Sequence, residues 1–195
     1  LTCPAFDHPP LFSLLAGAVT ELAGASPIEL HTNLNTRVRL WEVDLGRVRV
    51  AALLLYACTH LLLWDLAARR IGRWGALLAL LLYATASHIV LHGRLLLTEN
   101  FTTPLFLLNL CLWERLRAGR LRESTFGAAT VVLTAAALLS KVVAASQAAA
   151  LLVLLAAGRR RAALYPVAGV AAGLAIYLSY ALWQGWDAFL LTMGD

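Results

Sequence analysis

Apolar residues in this chain come in runs, and each run closes on a short polar cluster. A helix needs about 20 apolar residues to cross a hydrocarbon core of about 30 Å, so run length is the first quantity to weigh. Residues 11–25 form a short run with Glu21 in its second half, which predicts a helix lying at the membrane interface rather than crossing it. Residues 26–46 hold Pro27, Asn33, Asn35, Arg37, Arg39, Glu42 and Asp44 and read as an aqueous loop. Spans follow at 50–68, closed by Arg69, Arg70 and Arg73; at 74–91, closed by "HGRLLLTEN"; and at 101–116, closed by Arg115, Arg117, Arg120 and Arg122. From 124 to 158 only Lys141 carries a charge, and Arg159, Arg160 and Arg161 close that stretch. A last span, about 162–182, meets Trp183 and Trp186, which suit an aromatic belt.

Charge orients the set. The clusters at 69–73, 115–122 and 159–161 hold ten of the sixteen Lys and Arg residues and almost no acids. Asp7, Glu21, Glu29, Glu42, Asp44, Glu99, Asp187 and Asp195 fall on the other side. The arginine-rich loops are therefore predicted to be cytoplasmic. Because both ends of 124–158 are basic, one span there would break the rule. That stretch is predicted to be a hairpin of two short helices with Lys141 at or near its extracytoplasmic turn. Six spans result. The predicted organisation is a first extracytoplasmic loop with its interfacial helix (1–49), a six-span transmembrane domain (50–182) and an extracytoplasmic tail (183–195). The fold class is an all-α integral membrane bundle.

Composition agrees. The chain is 61% hydrophobic with a mean hydropathy of +0.74, and 14% of its residues are charged. A soluble domain carries about 25% charged residues, so the solvent for most of this chain is lipid. The net charge of +5 does not mark a nucleic-acid face, because the basic residues are dispersed between apolar runs as topology signals. Membrane lipids are expected partners and nucleic acid is not. Cys3, Cys58 and Cys111 lack metal-ligand spacing and read as small packing residues. No signal-peptide pattern opens the chain, and its last residues, Met193-Gly194-Asp195, suggest a piece of something longer.

On this topology Asp7, His8, Arg94, Glu99 and Lys141 share the extracytoplasmic side, each at the end of a hydrophobic element. Ionisable groups there are costly unless they pair or line a wet cavity, which makes them functional candidates. Lys141 either snorkels from a helix end or holds a phosphate oxygen as a point charge. Arg94 and Glu99 form a local ion pair, or serve a phosphate and a sugar respectively. Arg47 and Arg49 anchor the first span or add positive charge on the same face. Pro9 forces His8 out of the α region and Pro10 is preset for a helix start, so this corner fixes where Asp7 and His8 sit. Asn100-Phe101-Thr102 matches a glycosylation pattern but lies too tight against the membrane. His60 and Asp65 have sufficient structural explanations, Asp65 by an i,i+4 pair with Arg69.

In order along the chain, these segments resemble the protein O-mannosyltransferases and related bacterial lipid-linked glycosyltransferases, glycosyltransferase family 39 of the GT-C superfamily. "DHPPLFSLLAG" is similar to the family's first-loop Asp-x-His-Pro-Pro-Leu segment. "RVAALLLYACTHLLLWDLAARRIG" is similar to its arginine-initiated span, with Arg49 a better match than Arg47. "HGRLLLTENFTTPLFLLNL" resembles its second-loop pattern of an arginine before an acid. "LLSKVVAASQAAALL" resembles its Leu-x-Thr-Lys-Gly segment, with Val142 where glycine is usual.

The resemblance implies a membrane enzyme that takes a mannose-like sugar from a polyprenyl-phosphate donor. It passes the sugar to a protein, lipid or glycan hydroxyl at the extracytoplasmic face, with inversion. It implies His8, Arg49, Arg94 and Lys141 as substrate-binding residues and Asp7 and Glu99 as auxiliary carboxylates. The main base is expected upstream of residue 1, after a first transmembrane helix, and further spans are expected after residue 195. A piece without them is expected to be inactive alone. No cofactor is called for, and scattered outer acids argue against a divalent metal. The host membrane is expected to be a bacterial plasma membrane. The alternative is a transporter or non-catalytic scaffold, which the absence of repeats and the gathering of polar groups at one face disfavour.

Overall fold

The computed structural model describes residues 10–22, 26–31, 37–42, 45–86 and 98–187. Helix α1 (Pro10–Leu22) begins on a proline, whose fixed φ suits a first helical position. Its 13 residues give about 20 Å of helix, too little to cross a membrane. Part of the expected aqueous loop is instead a hairpin of two strands, β1 (Ser26–His31) and β2 (Arg37–Glu42). They pair antiparallel from Ser26 opposite Glu42 to His31 opposite Arg37. Arg37-Val38-Arg39-Leu40 alternates polar and apolar residues, the period of a strand, and the ladder satisfies backbone groups that a loose loop would leave to water.

The first two expected spans are one helical element, α2 (Leu45–Thr85), broken at Gly72 by φ 77° and ψ 172°. At about 1.5 Å per residue, an unbroken helix would hold Tyr56 and Tyr83 about 40 Å apart. Their ring centroids lie 6.4 Å apart, so the two arms fold back on each other. The turn among Arg69, Arg70 and Arg73 therefore pivots on one residue in a backbone region that side chains resist. The helix starts at Leu45 rather than 50, and residues 87–97 lie outside the described set.

Helix α3 (Thr98–Arg117) is the third expected span. Gly119 ends it with φ 67°, and α4 (Glu123–Ser140) follows directly. A short 3-10 turn (Val142–Ala144) separates α4 from α5 (Ala145–Gly158), and α6 (Leu164–Gln184) completes the described chain. Arg159, just past α5, lies 3.9 Å from Glu123 at the start of α4, so α5 returns alongside α4. The hairpin expected over 124–158 is present, and the break falls at Lys141.

Three stretches among the described residues are long and apolar enough to cross a membrane by length and composition: Arg49–Thr85, Glu123–Ser140 and Leu164–Trp183. Val142–Ala156 is apolar but shorter. Helix α3 is not among the three, and its burial explains why it can carry polar residues. Thr102 and Asn109 are buried within the protein rather than presented to lipid, and α3 packs against both α2 and α4. Outward positions are apolar instead: Leu61 and Val153 are each 70% exposed, the reverse of a water-soluble surface.

Helices α4 and α6 make the closest packing in the bundle. A Cβ on Gly169 would lie 2.7 Å from Thr134 Cβ and 2.9 Å from the Val131 carbonyl oxygen. One on Gly173 would lie 2.9 Å from Leu138 Cδ2 and 3.3 Å from Ala135 Cα. The four-residue spacing puts both glycines on one face of α6, where they let two backbones approach as small residues do in membrane helix pairs. Gly127 does the same for a ring, since a Cβ there would meet Tyr165 Cε1 at 2.5 Å.

The arginine-rich loops gather at one end of this bundle. Trp113, Phe126, Leu151, Leu155, Ala162 and Ala163 form a buried cluster there, and Phe126 lies 6.1 Å, ring to ring, from both Trp113 and Tyr165. The sequence led us to expect almost no acids here, yet three are present and each pairs. Asp65 meets Arg69 at 2.7 Å, as its spacing suggested; Glu114 pairs with Arg70 and, at 3.6 Å, with Arg117; Glu123 pairs with Arg159. The Arg70–Glu114 pair joins the Gly72 turn to the end of α3.

Candidate functional site

Antiparallel neighbours put the start of α3, the Lys141 turn and the start of α2 at the end opposite the arginines. Of the residues singled out there, Asp7, His8 and Arg94 lie outside the described residues. Glu99 lies in the first turn of α3, where only its backbone is described. Arg49 stands in the first turns of α2 and is exposed. Lys141 is half-buried and ends α4 in an extended conformation, φ −159° and ψ 126°. Its N–H donates to the Ala137 carbonyl at 3.0 Å, and its own carbonyl accepts from the Ala144 N–H at 2.9 Å. The backbone at the lysine is thus held on both sides.

An apolar cavity of about 300 Å³ opens at this end. Leu11 and Leu15 of α1 close one side, Leu55, Cys58 and Leu62 of α2 another. Phe101, Pro104, Leu105 and Leu108 of α3 and Ala136 and Ser140 of α4 complete it. The expected interfacial helix therefore roofs a cavity between three bundle helices. Ser140 adjoins Lys141, and Phe101 is two residues from Glu99, so two of the expected site positions flank residues that line one space. Ser140 is fully buried, its hydroxyl donating to the Ala136 carbonyl at 2.9 Å. Cys58 and Cys111 are free thiols; Cys111 packs between α3 and α2, its Sγ 3.6 Å from the Leu62 carbonyl. Among the described residues no group of three His, Cys, Asp or Glu side chains could hold a metal ion.

The structure adds two polar features, the first giving His60 the structural role expected of it. His60 sits between Tyr56 and Tyr83, with ring centroids 4.1 and 5.2 Å away, and tightens the α2 hairpin. A carbonyl only accepts, so the 2.8 Å contact from Nδ1 to the Tyr56 carbonyl places the ring hydrogen on Nδ1. The second feature is a set of buried polar side chains. Asn109 and Trp113 lie one turn apart on α3, and Thr130 and Thr134 one turn apart on α4. Asn109 Oδ1, Trp113 Nε1, Thr130 Oγ1 and Gln147 Oε1 are all buried without a hydrogen-bond partner. The signal was present, a lone Asn and a lone Gln inside apolar runs, but nothing in the sequence brings them together.

A helical bundle with lipid-facing apolar surfaces, one arginine-rich end and an apolar cavity at the other defines an integral membrane protein. Residues 34–183 match the family model for dolichyl-phosphate-mannose-protein mannosyltransferase, and the chain belongs to that family. It is thus a membrane glycosyltransferase of the mannosyltransferase type, GT-C class. The match begins after α1, so the Asp7-His8 corner lies outside it. No curated protein and no solved structure matches the chain.

Proposed function

We propose that this chain moves a mannose-like sugar from a polyprenyl phosphate to a hydroxyl, most simply one on a protein. The observation that carries this is the 300 Å³ apolar cavity, with Ser140 in its wall and Lys141 next in the chain. A polyprenyl tail needs an apolar groove reached from the membrane, and its phosphate needs a cation at the groove's end. In transfer, the acceptor oxygen bonds to the anomeric carbon as the carbon–oxygen bond to phosphate breaks. The phosphate leaves with the bonding pair, and a carboxylate takes the hydroxyl proton. Lys141, with Arg49 and Arg94, would stabilise the leaving phosphate. His8 would line the donor site, and Asp7 and Glu99 would orient the acceptor as auxiliary carboxylates. The cations do what a metal would do, so the chemistry requires no cofactor.

The same reading takes all six helical stretches from α2 to α6 as spans, counting two for α2, with the arginine-rich end cytoplasmic. The gathering of three arginine-rich loops at one end supports this. Lys141→Ala in the intact enzyme tests the phosphate role. A charge-assisted hydrogen bond is worth about 1.5–3 kcal/mol, so transfer from a polyprenyl-phosphate sugar should fall about 10- to 100-fold with membrane insertion unchanged. Unchanged transfer would leave Lys141 as a snorkelling residue.

A further inference from the structure

Beneath the Lys141 turn lies a second, much smaller cavity, about 10 Å³, separate from the donor cavity. Its walls come from α3 (Phe106, Asn109), α4 (Thr134, Ala137), Ala144 of the 3-10 turn, and α5 (Gln147, Ala148, Leu151). Two of those walls carry buried carbonyl oxygens without partners, Asn109 Oδ1 and Gln147 Oε1. Asn109 is only 3% exposed, so bulk solvent cannot satisfy it. A buried polar atom left bare is costly, and more so in a bundle surrounded by lipid.

We infer that this cavity holds one water molecule that bridges α3 to α5 beneath the Lys141 turn. Size and chemistry agree. A water needs about 10–15 Å³ of such space and two to four polar partners. Two orphan acceptors need two donors, and a water supplies two. Its O–H groups donate to Asn109 Oδ1 and Gln147 Oε1, leaving its oxygen to accept, with the Thr134 hydroxyl in the same wall as a donor. A metal cation fits less well: the walls offer two carbonyls and one hydroxyl, fewer oxygens than hard cations collect, and no charge to offset its own. The bridge has a place in the fold. Ala137 and Ala144, which hold the Lys141 backbone by hydrogen bonds, are themselves walls of the cavity. The water therefore ties the segment carrying Lys141 to the buried helix α3.

The test uses the intact protein in lipid nanodiscs, with Asn109→Leu, Gln147→Leu and the double variant compared by thermal unfolding. Each single variant strands the other acceptor and should lower the Tm by about 2–8 °C. If one water serves both, the double variant should lose no more than the worse single variant. Losses that add in the double variant would overturn the bridge. Solid-state NMR gives a readout independent of stability. Magnetisation should pass between an ordered water and the Asn109 side-chain amide, and vanish in Gln147→Leu; no such transfer in the unsubstituted protein would overturn the proposal. A Tm that rises with sodium but not with choline at equal ionic strength would identify a cation and overturn it as well.

Discussion

Gly169→Ala tests whether the α4–α6 contact is as close as the packing indicates. The added Cβ would lie 2.7 Å from Thr134 Cβ and 2.9 Å from the Val131 carbonyl oxygen. Carbon contacts are comfortable at about 3.5–4.0 Å, so the pair is short by about 0.8 Å or more. Neither neighbour can swing aside, since one is backbone and the other is fixed to it. The helices must separate, and a gap of about 0.5–1 Å forfeits a quarter to a half of each dispersion contact along the seam. Overpacking of this kind costs about 1–3 kcal/mol, and alanine's better helix propensity returns up to about 1. The net loss should be about 1–2 kcal/mol, read as a fall in Tm of about 2–8 °C for purified protein in nanodiscs. Gly17→Ala is the control, because a Cβ there meets nothing within 4 Å. If Gly169→Ala and Gly17→Ala unfold at the same temperature, the close approach of α4 and α6 is wrong.

Two further experiments probe the arginine-rich end. Gly72→Ala forces a side chain into φ 77° and ψ 172°; it should cost about 1–3 kcal/mol and reduce disulfide crosslinking between cysteines placed at positions 56 and 83. Arg70→Ala and Glu114→Ala should show a coupling of about 0.5–1 kcal/mol in a double-mutant cycle, shrinking in high salt, because Arg70 is half exposed while Glu114 is mostly covered. Full additivity at low salt would dismiss the link between the Gly72 turn and α3.

The sequence made the helical runs legible because lipid favours apolar side chains at outward positions, and most of those in residues 50–68, 124–158 and 162–182 are apolar. The turn at Arg69 to Arg73 was read from charge, whereas its cause is the backbone of Gly72. The break at Lys141 followed from the basic clusters at both ends of its run, a constraint that acts across the whole segment. What stayed hidden depends on neighbours. The alternation in Arg37 to Leu40 was overlooked because its charges already explained it as loop. The Gly169–Gly173 spacing does not say which helix it faces, and acids at 114 and 123 do not announce that they close arginine pairs. The large apolar cavity needs α1 laid across three other helices, and no local pattern reports that. That Asn109 and Gln147, on two different helices, line one cavity stayed hidden for the same reason.

The most direct test is to photolabel the intact protein, in membranes, with a polyprenyl-phosphate mannose carrying a diazirine in its isoprenoid chain, and to map the adducts by mass spectrometry. Adducts are expected on the walls of the large cavity, at Leu15, Leu55, Phe101, Leu105 or Ala136, and competed away by unlabelled donor. Adducts confined to outward positions such as Leu174 and Leu178, and insensitive to competition, would contradict a donor site between α1 and the bundle.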